Sequence, residues 1–277
     1  MKILITGAGG QLGKCFKKVA RNYPDLDITF TTSEDLDLSQ FAVVGAYLRR
    51  EKFDFCINCA AYTNVEQAEK EQEMAYLTNA ESVRNLAKDC EDTGCVLVHI
   101  STDYVFNGEK ITPYTEEDTT DPINVYGASK LLGEEYIQQA TERYLIFRTS
   151  WLYSDIGKNF FNTIKSKAEA GEPLNITTTQ TGTPTNAYDL AAFILKIIST
   201  KKIKFGIYHY SNIGEASWYD FAKEILRLMN SETELNINND FQTLATRPAY
   251  SVLSQEKAES AFGIPILHWK ESLKQLF

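Results

Sequence analysis

Three observations in the sequence predict an α/β fold built on a doubly wound parallel sheet with a smaller second lobe. Five short, nearly continuous apolar segments recur over the first 150 positions, amphipathic helical stretches separate them, and a glycine-rich turn joins the first strand to the first helix. The strands fall at 2–6, 27–31, 53–58, 96–100 and 144–148, with helices near 11–22, 39–51, 72–91 and 125–141. Beyond 150 the pattern loosens into helical stretches at 159–170, 187–199, 217–229 and 268–276 and short strands near 173–177 and 205–210. Ser217 ahead of WYDFAKEIL and Asp189 ahead of LAAFILKII read as helix starts. The expected division is a dinucleotide-binding domain over 1–150, with part of 182–215 added back, and a substrate lobe from 151–181 and 216–277.

Composition narrows the function. The 277 residues carry 28 Lys+Arg against 37 Asp+Glu, a formal net charge of −9 that argues against a nucleic-acid partner. With 43% hydrophobic and 23% charged residues the chain reads as globular rather than disordered. No apolar run reaches the roughly 18 residues of a membrane span, and MKILITG reads as a strand rather than a signal peptide, so a cytoplasmic location with no membrane partner is expected. Five cysteines without framework spacing fit reduced thiols. Cys56 and Cys59 form a C-x2-C, but side chains three apart on a strand face opposite ways and no second ligand pair completes a site. Core packing, with no metal, is the expectation.

The first strand runs into Gly7-Ala8-Gly9-Gly10-Gln11-Leu12-Gly13 and then a helix. Glycines there let the backbone approach a pyrophosphate, while the helix N-terminus offers unpaired N–H groups and a positive dipole end. The spacing Gly7-x2-Gly10-x2-Gly13 departs by one residue from G-x-G-x-x-G, so the strand–turn–helix context carries the dinucleotide reading. About 20 residues on, where an acidic residue usually holds the ribose of NAD, stand Thr31-Thr32-Ser33 followed by Glu34 and Asp35. Hydroxyls there can donate to a 2′-phosphate, which favours NADPH. No arginine stands there to clamp that phosphate, which leaves room for NADH.

A second constellation follows the fourth strand: Ser101-Thr102-Asp103-Tyr104, and then Tyr126-x3-Lys130 at the start of a helix. Positions i and i+4 share a helix face, which brings the lysine ammonium toward the phenol. A nearby cation draws the tyrosine pKa down from about 10. With Thr102 bonded to the same carbonyl oxygen, the set suits ketone reduction, a nicotinamide supplying hydride and Tyr126 the proton.

Together these residues resemble the extended short-chain dehydrogenase/reductases, and within them the dTDP-4-dehydrorhamnose reductases. The resemblance spans nearly the whole chain through TGAGGQLG at 6–13, Leu36-Asp37-Leu38, NCAAYTNVEQAE at 58–69, STDYVFNG at 101–108, NVYGASKLLGE at 124–134, FRTSWLY at 147–153, GTPT at 182–185 and Arg247-Pro248 with Ser251. STDYVF with RTSW is its most specific pair. It implies a Rossmann-type fold and reduction by NADPH of the 4-keto group of a dTDP-activated 6-deoxyhexose to dTDP-L-rhamnose.

It further implies Thr102, Tyr126 and Lys130 as the catalytic triad, the last two also touching cofactor. Gly7, Gly10, Gln11, Leu12 and Gly13 match the pyrophosphate loop, Asp37 and Leu38 an adenine contact, and Ala60, Ala61 and Tyr62 the stretch beside the nicotinamide ribose. Asn79 matches a helix asparagine near the cofactor. Thr63, Asp103, Tyr104 and Trp151 match residues lining the sugar, with the indole as a wall, and Asn159 and Arg247 match diphosphate contacts.

Competing chemistries stay in view. A 4,6-dehydratase has Asp-Glu after the threonine, whereas Asp103 here is followed by Tyr104. An epimerase, or another nucleotide-sugar 4-ketoreductase, shares the triad. A noncatalytic regulatory subunit of a methionine adenosyltransferase would bind dinucleotide without turnover, and the intact triad argues against it. Some members dimerise through magnesium held by glutamates, one just after the last loop glycine. Gly13-Lys14-Cys15-Phe16 has no carboxylate, so a monomer or a homodimer without that bridge is expected. His99 and His209 read as core histidines, His268 as a helix cap or packing residue, and Glu66–Glu73 as a solvated acidic face, with Glu66 where the family often has Asp.

Overall fold

The computed structural model describes residues 1–240 and 242–277. Its centre is a six-stranded sheet containing β1 (Lys2–Thr6), β2 (Asp27–Phe30), β3 (Phe55–Asn58), β4 (Val96–Thr102), β5 (Tyr144–Thr149) and the strand Gly206–His209. Across the sheet the order is Gly206–His209, β5, β4, β3, β1, β2, and every pairing is parallel. β1 has β2 on one side and β3 on the other, so the direction of winding reverses there. The crevice beyond the carboxyl ends of β1 and β3 is where such sheets take ligands.

Side-chain alternation explains the burial of both faces. Ile3 and Ile5, Val96 and Val98, and Leu145 and Phe147 face one core, which also holds Phe16 of helix α1 (Gln11–Val19) and Ile194 of the helix Ala187–Thr200. Leu4, Cys56, Leu97 and Ile146 face the other, with Leu48 of α2 (Phe41–Glu51) and Leu86 of the helix Ser82–Thr93. Cys56 lies in the second core while Cys59 packs against the first, the opposite placement that their spacing predicts. A third core joins Tyr153, Phe161, Phe221, Ile225 and Trp269 between the helices Phe160–Glu169, Trp218–Met229 and Trp269–Lys274.

Several elements differ from the sequence expectation for local reasons. The stretch expected as one helix over 72–91 is three pieces: Gln72–Tyr76, a π-helical segment Leu77–Glu81, and Ser82–Thr93. Such widened turns often accompany functional positions, and this one carries Asn79. The first helix stops at Val19 and closes with a 3-10 turn over Ala20–Asn22. Ser217 forms a capping box with Asp220, as its position predicts. Asn186 rather than Asp189 caps the helix Ala187–Thr200, and Asp189 sits in its first turn. The helix Glu256–Phe262 escapes sequence reading because it buries only Ala258 and Phe262. Among the described residues no helix is long and apolar enough to cross a membrane.

Candidate active site

At the end of β1 the chain turns through Gly7, whose φ of +65° suits glycine. A Cβ on Gly7 would lie 2.5 Å from the Ala60 nitrogen, and one on Gly13 would lie 2.5 Å from Ala8 Cα. These glycines therefore set the close approach of the turn to the exit of β3 and to α1. Gly10 is the N-cap of α1, with no side-chain cap and no acidic residue in the first turn. Its first amides are thus left for an anion. Leu12 is buried in the core. Gln11 donates to the Leu152 carbonyl (3.1 Å) and accepts from Asn159 (2.6 Å), tying the turn to the second lobe.

Past β2, the Thr32 backbone N–H and hydroxyl both donate to Asp35 Oδ2, at 2.9 and 2.8 Å. Of the three hydroxyls at 31–33 expected to serve a 2′-phosphate, that of Thr32 is therefore committed to a carboxylate. Asp37 is exposed and bonds Ser39, while Leu38 packs half-buried on the second core.

Past β3, Ala61 and Thr63 line the main cleft. Ala60 N–H donates to Asn58 Oδ1. Tyr62 is clamped by Asn79, which accepts from its N–H (2.8 Å) and donates to its carbonyl (3.0 Å) and to Ser129 Oγ (3.0 Å). Asn79 is thus a strut between this loop and the helix Val125–Ala140.

That helix is seated on the end of β4 by a missing side chain. A Cβ on Gly127 would fall 2.1 Å from the Tyr104 carbonyl oxygen. Asn124 caps it by accepting from Gly127 N–H (2.8 Å), and Glu69 accepts from Val125 N–H (2.9 Å). Farther along, buried Glu134 binds Arg148 of β5 in a bidentate pair, with contacts of 2.7 to 3.1 Å, and also accepts from Ser101.

Tyr126 is thereby held beside the cleft, edge-on to Tyr104 at 5.9 Å between ring centroids. Burial pushes its phenol up to about 12, against a lowering by the Thr102 hydroxyl. Thr102 Oγ1 accepts from Tyr104 N–H and donates to Asp103 Oδ1, both at 3.1 Å. Burial pushes the Asp103 carboxyl up to about 7, and among the described residues its Oδ2 has no hydrogen-bond partner. Lys130 is 2% exposed, and burial brings it down to about 8. Its hydrogen bonds go to the Ile100 carbonyl (2.6 Å) and His99 Nε2 (3.2 Å), not to the phenol that i, i+4 spacing places on its face.

The cleft has a volume of about 480 Å³, and Thr102, Asp103, Tyr104, Tyr126 and Lys130 form its floor. On the far wall Trp151 adopts φ +44°, and a Cβ on Gly182 would strike its indole at 2.6 Å. Trp151 stacks on Trp218 with centroids 3.5 Å apart and planes 5° apart. Phe160 packs at 4.6 Å from Trp218. Arg247 is held by Glu66 (2.8 Å), and among the described residues its Nε has no hydrogen-bond partner. Asn159 lines the cleft, yet its side chain is spent on capping Asn162 N–H and on donating to Gln11, Ser154 and Ile156.

The acidic run departs from a plain solvated face. Glu66 holds Arg247 and the 244–245 backbone, Glu69 accepts from the first N–H of the helix Val125–Ala140, and Glu71 accepts from the Tyr62 phenol. Each partner is remote in sequence or on another element, so charge spacing alone could not reveal it. Trp218 escaped for a similar reason, being indistinguishable in sequence from the apolar stripe of its helix. His99 and His209 are fully buried as expected, and His268 caps its helix by accepting from Lys270 N–H.

A family model described as RmlD substrate binding domain matches residues 1–277. The chain belongs to that family. It is 40% identical to the spore coat polysaccharide biosynthesis protein SpsK of Bacillus subtilis, over 99% of this chain and 96% of that one. A dTDP-4-dehydrorhamnose reductase of Sinorhizobium fredii is 37% identical over 100% of this chain and 96% of its own. Among solved structures, a dTDP-4-dehydrorhamnose reductase of Bacillus anthracis in complex with NADP superposes with a TM-score of 0.95 at 37% identity, covering 100% of this chain and 98% of that one.

Proposed function

We propose that this member of the RmlD substrate binding domain family reduces dTDP-4-dehydro-L-rhamnose to dTDP-L-rhamnose with NADPH. The observation that carries the reading is the convergence of the Tyr126 phenol and the Thr102 hydroxyl on one cleft, next to the uncapped N-terminus of α1. The glycine cradle at Gly7 and Gly13 and the free first-turn amides fit a dinucleotide pyrophosphate. A bound nicotinamide supplies the hydride. Thr102 turns its hydroxyl from Asp103 to the keto oxygen and orients it, and Tyr126 gives that oxygen its proton. Trp151 and Trp218 wall the pyranose away from water, and Arg247, with its unpartnered Nε, meets the diphosphate.

Residues 1–150 with part of 182–215 serve the dinucleotide, and 151–181 with 216–277 serve the sugar nucleotide. Gly206–His209, which joins the main sheet, supports that division. Asp37 and Leu38 flank the adenine, Ala60 to Tyr62 the nicotinamide ribose, and Asn79 and Asn159 act by holding their loops. The reading places the enzyme in the cytoplasm. A second substrate, another dTDP-activated 4-keto sugar, is favoured by a Streptomyces antibioticus relative named as a probable dTDP-4,6-dihydroxy-2-methyloxan-3-one 4-ketoreductase, 35% identical over 100% of this chain and 95% of its own.

Replacing Tyr126 by Phe tests the reading. NADPH oxidation with dTDP-4-dehydro-L-rhamnose should fall by roughly 10²–10⁴-fold while NADPH binding persists. Undiminished turnover in that variant would remove Tyr126 from the proton transfer.

A further inference from the structure

β4 ends at Thr102, where the chain enters a short 3-10 turn, Asp103–Val105. Thr102 caps that turn: its Oγ1 accepts from Tyr104 N–H at 3.1 Å, which takes one of the hydroxyl's two lone pairs. One lone pair and one hydrogen remain, to be divided between two directions. The first is the cleft, which Thr102 lines. The second is Asp103, whose Oδ1 stands 3.1 Å from the same oxygen. Asp103 and a bound ketone therefore compete for a single hydrogen.

Which of them receives it follows from the state of the carboxyl. A carboxylate has acceptors only, so an ionised Asp103 draws the Thr102 hydrogen to itself and leaves a lone pair facing the cleft. A lone pair opposes a carbonyl oxygen, and opposes it more strongly as hydride arrives and that oxygen gains charge. A protonated carboxyl donates instead. Its O–H fills the second lone pair of Thr102, and the threonine hydrogen is then free to point into the cleft. We propose that Asp103 is a positioning residue whose carboxylic acid form donates a hydrogen bond to Thr102 Oγ1 and so turns the Thr102 hydrogen toward the substrate carbonyl.

The proposal rests on the keto-reductase reading, because it is the keto oxygen that the freed hydrogen meets. The surroundings of Asp103 favour its acid form. It is 2% exposed, and among the described residues its Oδ2 has no hydrogen-bond partner. A buried carboxylate with so little solvation is costly, and taking up a proton removes the charge. Thr102 and Tyr104 face it from its own turn, Tyr126 from the helix Val125–Ala140 and Ser251 from the C-terminal segment. The two cations lining the same cleft floor and wall are engaged elsewhere, Arg247 with Glu66 and Lys130 with the Ile100 carbonyl and His99. Burial pushes the carboxyl up to about 7, against the Ser251 and Thr102 hydroxyls, which favour the ionised form. The acid form is therefore present below about 7 and is lost as pH rises through it.

The test has two readouts. In full-length protein carrying isotope-labelled aspartate, NMR follows the Asp103 carboxyl, with Asp103→Asn assigning its signal. The wild-type midpoint should lie near 7, and Thr102→Val, which removes a donor to the carboxylate, should raise it. In single turnovers with dTDP-4-dehydro-L-rhamnose, the wild-type rate of NADPH oxidation should drop roughly tenfold per pH unit above that midpoint. Both variants should lose this drop, Asp103→Asn because nothing titrates there and Thr102→Val because the hydrogen being steered is gone. A drop that survives in Thr102→Val would mean that Asp103 acts without Thr102, and one that survives in Asp103→Asn that another group titrates; either overturns the proposal. Should one variant fail to fold, the other decides by the same criterion. An Asp103 signal fully ionised by about pH 5, as for an ordinary carboxyl, also overturns it. Wild-type protein that binds NADPH and turns over no dTDP-4-keto sugar, while the Asp103 midpoint lies near 7 and rises in Thr102→Val, would overturn the functional reading and leave the Asp103–Thr102 relation standing.

Discussion

The two ends of the cleft are built by different means. The end at the glycine turn and the floor around Tyr126 are set by backbone contacts and buried hydrogen bonds. Gly7 touches the exit of β3, Gly127 touches the Tyr104 carbonyl, and Glu134 locks the helix Val125–Ala140 to Arg148 and Ser101. The opposite end is a wall of side chains from distant segments, Trp151, Phe160, Trp218 and Arg247. Its order comes from aromatic stacking and one partly exposed ion pair. Substitutions at the first end should therefore register in stability, and substitutions at the second in substrate affinity.

The largest expected effect is at the lock. Glu134 is fully buried, and its removal leaves the Arg148 guanidinium without a counter-charge. Glu134→Ala should lower the unfolding free energy by about 3–5 kcal/mol, measured by urea denaturation. A loss below about 1 kcal/mol, the range of an exposed pair, would erase the distinction between the two ends.

At the opposite wall, Trp218→Ala removes the ring stacked on Trp151 and the indole N–H bonded to Gln180 (3.0 Å). The expected result is a rise in KM of roughly tenfold for the sugar nucleotide with kcat little changed, the pattern of lost uniform binding. Steady-state kinetics separate the two parameters. A fall in kcat at constant KM would mean that the stacked pair orients the reacting carbonyl rather than holding the substrate.

The same contrast governs what was legible in the sequence. Gly7 and Gly13 were readable because a turn that tight admits little else, and the meeting of Thr102, Tyr126 and Lys130 at one cleft because a strand end and a helix start fix where their side chains fall. Spacing placed Lys130 and Tyr126 on one helix face but could not show that Nζ is drawn to the Ile100 carbonyl and His99. Trp218 looked like core, and Glu66 like a solvated charge, because their partners Trp151 and Arg247 lie 67 and 181 positions away. The strand Gly206–His209 was foreseen as a strand, but its parallel pairing with β5 depends on the long excursion through the second lobe.

The smallest expected effect concerns the choice between NADPH and NADH, where the first end is exposed at Ser33, Glu34 and Asp35. Thr32 flanks the glycine turn, and a Cβ on Gly9 would meet its methyl group at 3.6 Å. The 2′ position of a bound dinucleotide falls near the end of β2. Thr32 gives both its N–H and its hydroxyl to Asp35, and those bonds hold the Asp35 carboxyl below its ordinary range, so the group is charged at neutral pH. A carboxylate there opposes a 2′-phosphate and occupies the hydroxyl that could bind it. Asp35→Asn keeps an oxygen for Thr32 and removes the charge. The ratio of kcat/KM for NADPH over NADH should rise a few-fold at low salt, and the gain should shrink as salt is added, because the site is open to solvent. An unchanged ratio at low salt would place the discriminating contact away from the end of β2.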